Sequence, residues 1–517
     1  MSGLGPIESI PTLLQRQAER YPNKIFLFFK EQEVAYRQLN ERADRVAEGF
    51  ARFKIRPGDK VALFLPNMPE FLYAFFGAMK LGAVAVPINT QLKGEEAAYI
   101  LKNSESRALI TTPALYPVIQ PKRAELSQLE QLFLVGERGG EGKVFSSLYQ
   151  AGSRPLHPPP GEGARPGDPA ALIYTSGTTG APKGVILTHR NYLFDVEQFV
   201  RATHMTDQDR FLCILPLFHV NGQVVTTLSP LYAGGSMVLM EKFSPKDFFK
   251  TLERFRATAF SGVPTIYAIL LNAEEAKGAD LSSLRFCVCG AAPMPVELFQ
   301  KFEAKFSAFI LEGYGLSEGT CVSSVNPLGG KRKIGSIGLP LPDQEMKIFN
   351  DRDEEVSPGE VGEIVVRGGN VMTGYFKNPG ATEEALRGGW LHTGDLGYRD
   401  EEGYFFIVGR KKEMIIRGGE NIYPKEIEEL LYRHPKVLEA AVIGLPDPVW
   451  GEEVAAFIIP KPETTLTPEE ILSYCRERLA KFKSPREAIL VEAFPKTATG
   501  KVQKGRLRDE YLRRKKG

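Results

Sequence analysis

Short apolar runs alternate with helix-spaced segments along the first ninety residues, and this alternation restricts the chain to few architectures. Ile25-Phe-Leu-Phe-Phe29, Val61-Ala-Leu-Phe-Leu65 and Val84-Ala-Val-Pro87 each have the length of a buried strand. Between the first two, Leu39, Ala43, Val46, Ala47 and Phe50 recur at helical spacing, and a second helix is predicted from Pro69 to Lys80. Strands that alternate with helices feed a parallel sheet covered on both faces. The predicted fold class is therefore α/β. A chain of 517 residues far exceeds the roughly 100–150 residues of an ordinary single core, so it should subdivide. A large N-terminal domain of αβ layered subdomains with mostly parallel sheets is expected over residues 1–410. A small α+β C-terminal domain is expected over residues 411–517, beyond a boundary near Gly409-Arg-Lys-Lys-Glu413. There, residues 426–432 and 468–479 read as helices, and Ala440-Ala-Val-Ile443 and residues 454–459 as strands. The Pro/Gly-rich run 154–169 reads as a solvated linker.

With 43% hydrophobic and 25% charged residues the chain has the make-up of a globular protein, and a net charge of +2 gives no general attraction to nucleic acid or an anionic membrane. The five cysteines form no C-x-x-C pair, and their odd number suits a reducing compartment, so zinc is not expected and the location expected is cytoplasmic. The N-terminus has no basic start leading into an apolar stretch, so no secretion signal is read. Residues 211–240 contain no Asp, Glu, Lys or Arg, yet Pro216, Gly222, Pro230, Gly234 and Gly235 interrupt them. Buried strands and turns forming the wall of a cleft are expected there, rather than a transmembrane segment. The tail 504–516, with seven basic and two acidic residues, leaves weak peripheral membrane contact open, as is a homodimer.

Chemistry concentrates first in Tyr174-Thr-Ser-Gly-Thr-Thr-Gly-Ala-Pro-Lys-Gly184, held between the apolar runs Leu172-Ile-Tyr174 and Val185-Ile-Leu187. Glycines let backbone N–H groups converge on an anion, the hydroxyls of Thr175, Ser176, Thr178 and Thr179 add donors, and Lys183 supplies a mobile positive charge. Such a loop suits a polyphosphate. Its spacing is not that of the G-x-x-x-x-G-K-[ST] loop, because Lys183 follows Gly180 by three residues and precedes Gly184, which argues against a kinase or GTPase.

The same stretch resembles the signature of the adenylate-forming superfamily, which includes acyl-CoA ligases, peptide-synthetase adenylation domains and luciferases. Further motifs follow in the order of that family and extend the resemblance over nearly the whole chain. Glu312-Gly-Tyr-Gly-Leu-Ser-Glu318, read as a loop after Ala308-Phe-Ile-Leu311, implies that Tyr314 stacks on adenine, with Gly313, Gly315 and Ser317 beside it, and that Glu318 holds Mg²⁺ on the phosphates. Trp390-Leu-His-Thr-Gly-Asp395, read as a carboxylate after a tight Gly turn, implies that Asp395 accepts from the ribose hydroxyls, and Arg410 resembles the phosphate-contacting arginine. Two positions on, where the family often has an aspartate hinge, the chain has Lys412. Phe494-Pro-Lys-Thr-Ala-Thr-Gly-Lys501 resembles the terminal motif whose lysine bridges the substrate carboxylate and the α-phosphate, on a C-terminal domain that is mobile between half-reactions. The glycines of Arg417-Gly-Gly-Glu-Asn421, Gly418 and Gly419, resemble the lining of the thiol tunnel.

The resemblance implies ATP, Mg²⁺ and coenzyme A as cofactors and co-substrates, with Lys501, Thr178, Glu318 and His219 catalytic and with Gly177, Thr179 and Gly180 in the phosphate loop. A carboxylate must expel oxide or hydroxide to be displaced directly, whereas its adenylate expels AMP, a far better leaving group for attack by a thiol. His219, in Leu215-Pro-Leu-Phe-His-Val-Asn-Gly222, falls where the family has a residue at the carboxylate end of the acyl pocket. Cys287-Val-Cys-Gly-Ala-Ala-Pro293 and Gly262-Val-Pro-Thr-Ile-Tyr267 are expected as its small and apolar walls. Gly313 replaces the arginine of malonate-activating relatives. A medium- or long-chain fatty acid is therefore the expected substrate, with an aromatic or carnitine-type acid, or transfer to a carrier-protein thiol, as alternatives.

Overall fold

The computed structural model describes residues 7–136, 142–149, 164–175, 181–292, 294–496 and 502–516. Among these residues the strands form four sheets. The predicted helix-spaced set lies on the helix Tyr36–Arg52, with Leu39, Ala43, Val46, Ala47 and Phe50 fully buried. It packs on the second predicted helix, Pro69–Leu81, closely enough that a Cβ at Gly77 would come within 2.5 Å of Val46 Cγ1. That second helix is buried on every side. Its one interior charge, Lys80, pairs with Asp44 at 2.6 Å, in keeping with the cost of an unpaired buried ammonium.

Both large sheets are mainly parallel, as the strand–helix alternation requires. In one, Ser106–Thr111, Lys60–Phe64, Val84–Pro87 and Pro169–Thr175 run parallel, and Lys183–Thr188 returns antiparallel. In the other, Ser236–Leu239, Arg210–Cys213, Ala259–Gly262, Phe286–Cys289 and Ile310–Tyr314 run parallel in that order. A four-stranded antiparallel sheet, Glu345–Phe349, Gly362–Arg367, Leu391–Arg399 and Phe405–Arg410, follows. The small C-terminal domain has its own sheet, centred on the long hairpin Val437–Asp447 and Gly451–Pro460, and its own core around Ile415, Ile427, Val442, Ile458 and Ile471. Its predicted helices are Pro424–Tyr432 and Pro468–Arg476.

Residues 211–240 depart from expectation. Strands Arg210–Cys213 and Ser236–Leu239 flank the region, but its middle is helical: Val220–Gln223, a π-helical turn Val224–Leu228 and Ser229–Ala233. Pro230 directly follows the π-helical turn in a continuous helical run, and Gly234 at φ +79° ends it. Because this segment is buried nearly all round, it carries no polar stripe from which a helical period could be read. Among the described residues, no helix is long and apolar enough to cross a membrane.

Candidate active site

Thr175 and Lys183 face each other across the antiparallel pair that carries the phosphate loop, so the loop is clamped at its neck by a strand ladder. Ser176, Gly177, Thr178, Thr179 and Gly180 lie outside the described residues. The Lys183 Nζ sits 5.0 Å from the centroid of the Tyr375 ring. Tyr375 in turn donates through its hydroxyl to Glu318 Oε1 at 2.9 Å. It is carried there by the short strand Gly374–Tyr375, which pairs with Val185 and Ile186 beside the phosphate loop. One aromatic side chain thus joins the loop lysine to the candidate metal carboxylate. Sequence reasoning missed Tyr375, which carries no signal beyond a Gly-Tyr pair.

The motif around Tyr314 is not all loop. Gly313 and Tyr314 belong to the strand Ile310–Tyr314 and pair with Val325 and Ser324, an extension of the apolar run that the glycine obscured. Tyr314 is buried and donates to Asp395 Oδ2 at 2.7 Å, and Asp395 Oδ1 lies 2.8 Å from Arg410 Nε. Asp395 does not follow a tight turn: it sits inside the strand Leu391–Arg399 directly opposite Arg410, and Gly394 at φ +71° puts the irregularity into the strand itself. Three side chains proposed for the nucleotide therefore converge. Lys412 lies two residues beyond, exposed in the short turn Lys411–Glu413, with desolvation and the neighbouring Arg410 charge holding its ammonium below the usual range.

After Tyr314 the chain folds back sharply. Ser323 N donates to Tyr314 O at 2.7 Å, closing a loop that carries Ser317 and Glu318 on the turn Ser317–Gly319. A Cβ on Gly315 would sit 1.6 Å from the Cys321 carbonyl oxygen, a distance no side chain can occupy. Gly315→Ala should force this loop open and displace Glu318. Since displacements of about 1 Å at a reacting centre can cost ~10²-fold, kcat/KM for ATP is expected to fall by at least that factor. Steady-state kinetics at saturating acid would check it, and a loss under threefold would refute it.

His219 caps the start of Val220–Gln223, its ring 4.6 Å from Phe218, and its Nε2 has no hydrogen-bond partner among the described residues. Burial lowers its pKa to about 4, so it is a neutral imidazole at ordinary pH. The expected pocket walls divide. Cys287, Cys289 and Tyr267 lie in a closed core with Phe299 and Phe302, whereas Val288 belongs to the main core on the other face of the strand, which also includes Val224, Val225 and Leu217. Strand alternation sends successive residues to opposite faces, so the two cysteines cannot share a surface with Val288.

Glu312 stands just ahead of the Gly-Tyr pair. It is buried, accepts from Met294 N at 3.2 Å through Oε1, and leaves Oε2 without a partner among the described residues. Burial raises its pKa from 4.5 to about 7. The folded chain thus holds this proton more tightly than the unfolded chain, and stability from this group is lost as pH rises from about 4.5 through about 7. Glu312→Gln removes that dependence. Relative to wild type it is expected to gain about 3 kcal/mol between pH 4.5 and 8 by proton linkage, seen as a Tm difference that grows with pH. A difference independent of pH would contradict this.

Gly418 and Gly419 form the turn of a hairpin, Ile415–Arg417 with Glu420–Ile422, rather than an open loop. Both have positive φ, +59° and +89°, as a two-residue hairpin turn demands, and a Cβ on Gly418 would lie 2.7 Å from the Trp450 ring. Lys501 lies outside the described residues; next to it Val502 bridges to Lys496, whose ammonium pairs with Glu439 at 2.7 Å.

The strand pair that flanks residues 176–180, a lysine and a carboxylate linked by one tyrosine, and an Asp–Arg–Tyr cluster are the arrangement that the described residues show. Comparisons with known proteins give the family. The sequence profile of AMP-binding enzymes matches residues 14–376, and that of the AMP-binding enzyme C-terminal domain matches residues 426–501. The chain is 35% identical to a long-chain-fatty-acid–CoA ligase of Bacillus subtilis (strain 168), over 98% of this chain and 95% of that one. It is 38% identical to a feruloyl-CoA synthase of an Amycolatopsis species, over 92% and 94% of the two chains. The crystal structure of the anthranilate CoA ligase AuaEII in complex with anthranoyl-AMP superposes with a TM-score of 0.91 at 32% identity, covering 98% of each chain. The chain therefore belongs to the AMP-binding enzyme family and is an acid–thiol ligase, which activates a carboxylic acid as its acyl-AMP and passes the acyl group to coenzyme A.

Proposed function

We propose that the acid is a medium- or long-chain fatty acid, bound with its carboxylate toward His219 and its chain along the apolar face of Leu217, Val224, Val225 and Val288. The observation that carries this reading is the His219 imidazole, neutral and packed beside Phe218, whose buried Nε2 has no partner among the described residues. A neutral imidazole can donate an N–H to a carboxylate without the desolvation cost of a charged pair. An aromatic acid is the second reading, favoured by the feruloyl and anthranilate relatives.

In this proposal the phosphate loop, with Thr175, Thr178 and Lys183, cradles the triphosphate. Tyr314 lies against adenine, and Asp395 exchanges its bonds to Tyr314 and Arg410 for the ribose hydroxyls, leaving Arg410 for the phosphates. Glu318, aimed by Tyr375, offers the hard oxygen that Mg²⁺ requires, and the cation would neutralise phosphate charge as pyrophosphate departs. The carboxylate oxygen attacks the α-phosphorus, pyrophosphate leaves, and Lys501 stabilises the charge that develops between them. The unit 411–517, pivoting near Lys412, then moves Lys501 away, and the thiolate of coenzyme A attacks the acyl carbon along the Gly418–Gly419 hairpin with AMP as leaving group. A panel of straight-chain, aromatic and carnitine-type acids, assayed with ATP, Mg²⁺ and coenzyme A for acyl-CoA, tests the substrate. The highest kcat/KM should fall on a straight chain of eight or more carbons, on the order of tenfold above ferulate or benzoate, since each buried methylene contributes about 0.8 kcal/mol. A preference for the aromatic acids would replace this reading with the second.

A further inference from the structure

The helix His189–Ala202 leaves the phosphate-loop hairpin directly and sends three polar side chains into three different loops of the site. Its start is fixed by a reciprocal cap, in which Thr188 Oγ1 accepts from Asn191 N and Asn191 Oδ1 accepts from Thr188 N. Asn191 Nδ2 then donates to the carbonyls of Gly369 and Val371, both at 2.8 Å, in the segment that leads to Tyr375. Tyr192, fully buried, donates to Gln223 Oε1 at 2.6 Å, and Gln223 brackets His219, its Nε2 donating to Leu217 O at 2.9 Å and its backbone N–H to His219 O at 3.2 Å. Asp195, also fully buried, accepts from Val322 N at 3.0 Å. Val322 adjoins Cys321, whose carbonyl is the one Gly315 closes upon, so Asp195 holds the far limb of the loop that carries Glu318.

We propose that this helix sets the acid side and the nucleotide side of the site against each other, with Tyr192 and Asp195 as its positioning residues. Residues 192 and 195 stand three apart and so share a face of the helix. Yet the hydrogen bond of one goes to Gln223 in the His219 loop and that of the other to Val322 in the Glu318 loop. Apolar side chains would fill a buried helix face at lower desolvation cost. A buried phenol and a buried carboxylate, each spent on one loop, serve geometry instead. A rigid element shared by both loops means that a carboxylate held at His219 and a phosphate held near Glu318 arrive in a fixed relation, which is what attack on the α-phosphorus requires.

The inference rests on His219 marking the acid side, and its test separates the two. Tyr192→Phe, Asp195→Asn and Asp195→Ala would be made in the full-length chain, with Tm recorded for each. ATP affinity is read by equilibrium binding, which does not depend on the identity of the acid, and acid KM is read with the best acid of the panel. Loss of one buried hydrogen bond corresponds to about five- to tenfold. Tyr192→Phe should raise acid KM by about that factor and leave ATP affinity within twofold. Asp195→Ala should weaken ATP by about that factor and leave acid KM within twofold, whereas Asp195→Asn, which keeps an acceptor for Val322 N–H, should restore ATP binding. Tm losses with both constants unchanged, or equal shifts in both constants from either residue, would overturn the proposal. Normal discrimination by Asp195 with no effect of Tyr192 on any acid would instead refute the placement of the acid at His219.

Discussion

Lys501→Ala is expected to stop acyl-adenylate formation, lowering its rate by on the order of 10²–10³ as the loss of one preorganised charge at a developing anion does. Thioester formation from supplied acyl-adenylate should stay within a few-fold of wild type. The asymmetry follows from the chemistry. In the first half-reaction an anionic carboxylate must approach an anionic α-phosphate, and an ammonium between them offsets the repulsion. In the second, on the proposed mechanism, the C-terminal unit has carried Lys501 away before the thiol attacks the acyl carbon, so its loss leaves that step nearly unchanged. Single-turnover measurements of both half-reactions check this, and equal losses in the two would remove Lys501 from its proposed role. Lys496, five residues earlier and already paired with Glu439, serves as a control whose replacement should leave both rates near wild type.

Asp395→Ala should produce the second largest effect, on nucleotide affinity and on stability together. Asp395 is buried and accepts from both Tyr314 and Arg410, so its loss strands a guanidinium that is only one-third exposed as well as a buried phenol. Breaking a buried pair by removing one partner costs about 3–5 kcal/mol. Arg410 keeps some access to water, so the lower end applies, and a Tm drop of roughly 2–4 °C is expected for each kcal/mol in a large chain. ATP affinity should fall by about 10²-fold, the loss of two charge-assisted bonds to ribose. Asp395→Asn keeps an acceptor and should bind ATP more tightly than Asp395→Ala. Titration calorimetry with ATP and a thermal melt measure both effects. Unchanged ATP affinity with a lowered Tm would leave the Tyr314–Asp395–Arg410 cluster as structural only.

Much of this was legible before any coordinates. The 3.6-residue spacing of Leu39, Ala43, Val46, Ala47 and Phe50 announced a helix because one of its faces meets solvent, and the apolar runs on either side announced strands by their length. Residues 220–233 were opaque for the opposite reason: a helix buried all round has no polarity contrast, so its period leaves no trace. Candidate site residues with chemistry at fixed local spacing, such as Lys183, Glu318 and Asp395, can be proposed from motifs. Tyr375, Tyr192 and Asp195 could not, because each acts through a partner far away in the chain. Cys287 and Cys289 were misplaced because composition shows what kind of side chain a strand carries, while only strand register shows to which face it turns.

On the proposed mechanism the acid is activated at the α-phosphate of an ATP held at this loop. Acid-dependent exchange of labelled pyrophosphate into ATP, measured without coenzyme A, tests it most directly. The expected exchange requires both acid and Mg²⁺, is lost in Lys501→Ala, and gives way to stoichiometric AMP and acyl-CoA once coenzyme A is added. Turnover with ADP and phosphate as the nucleotide products, and no pyrophosphate exchange with any acid that is converted, would contradict it.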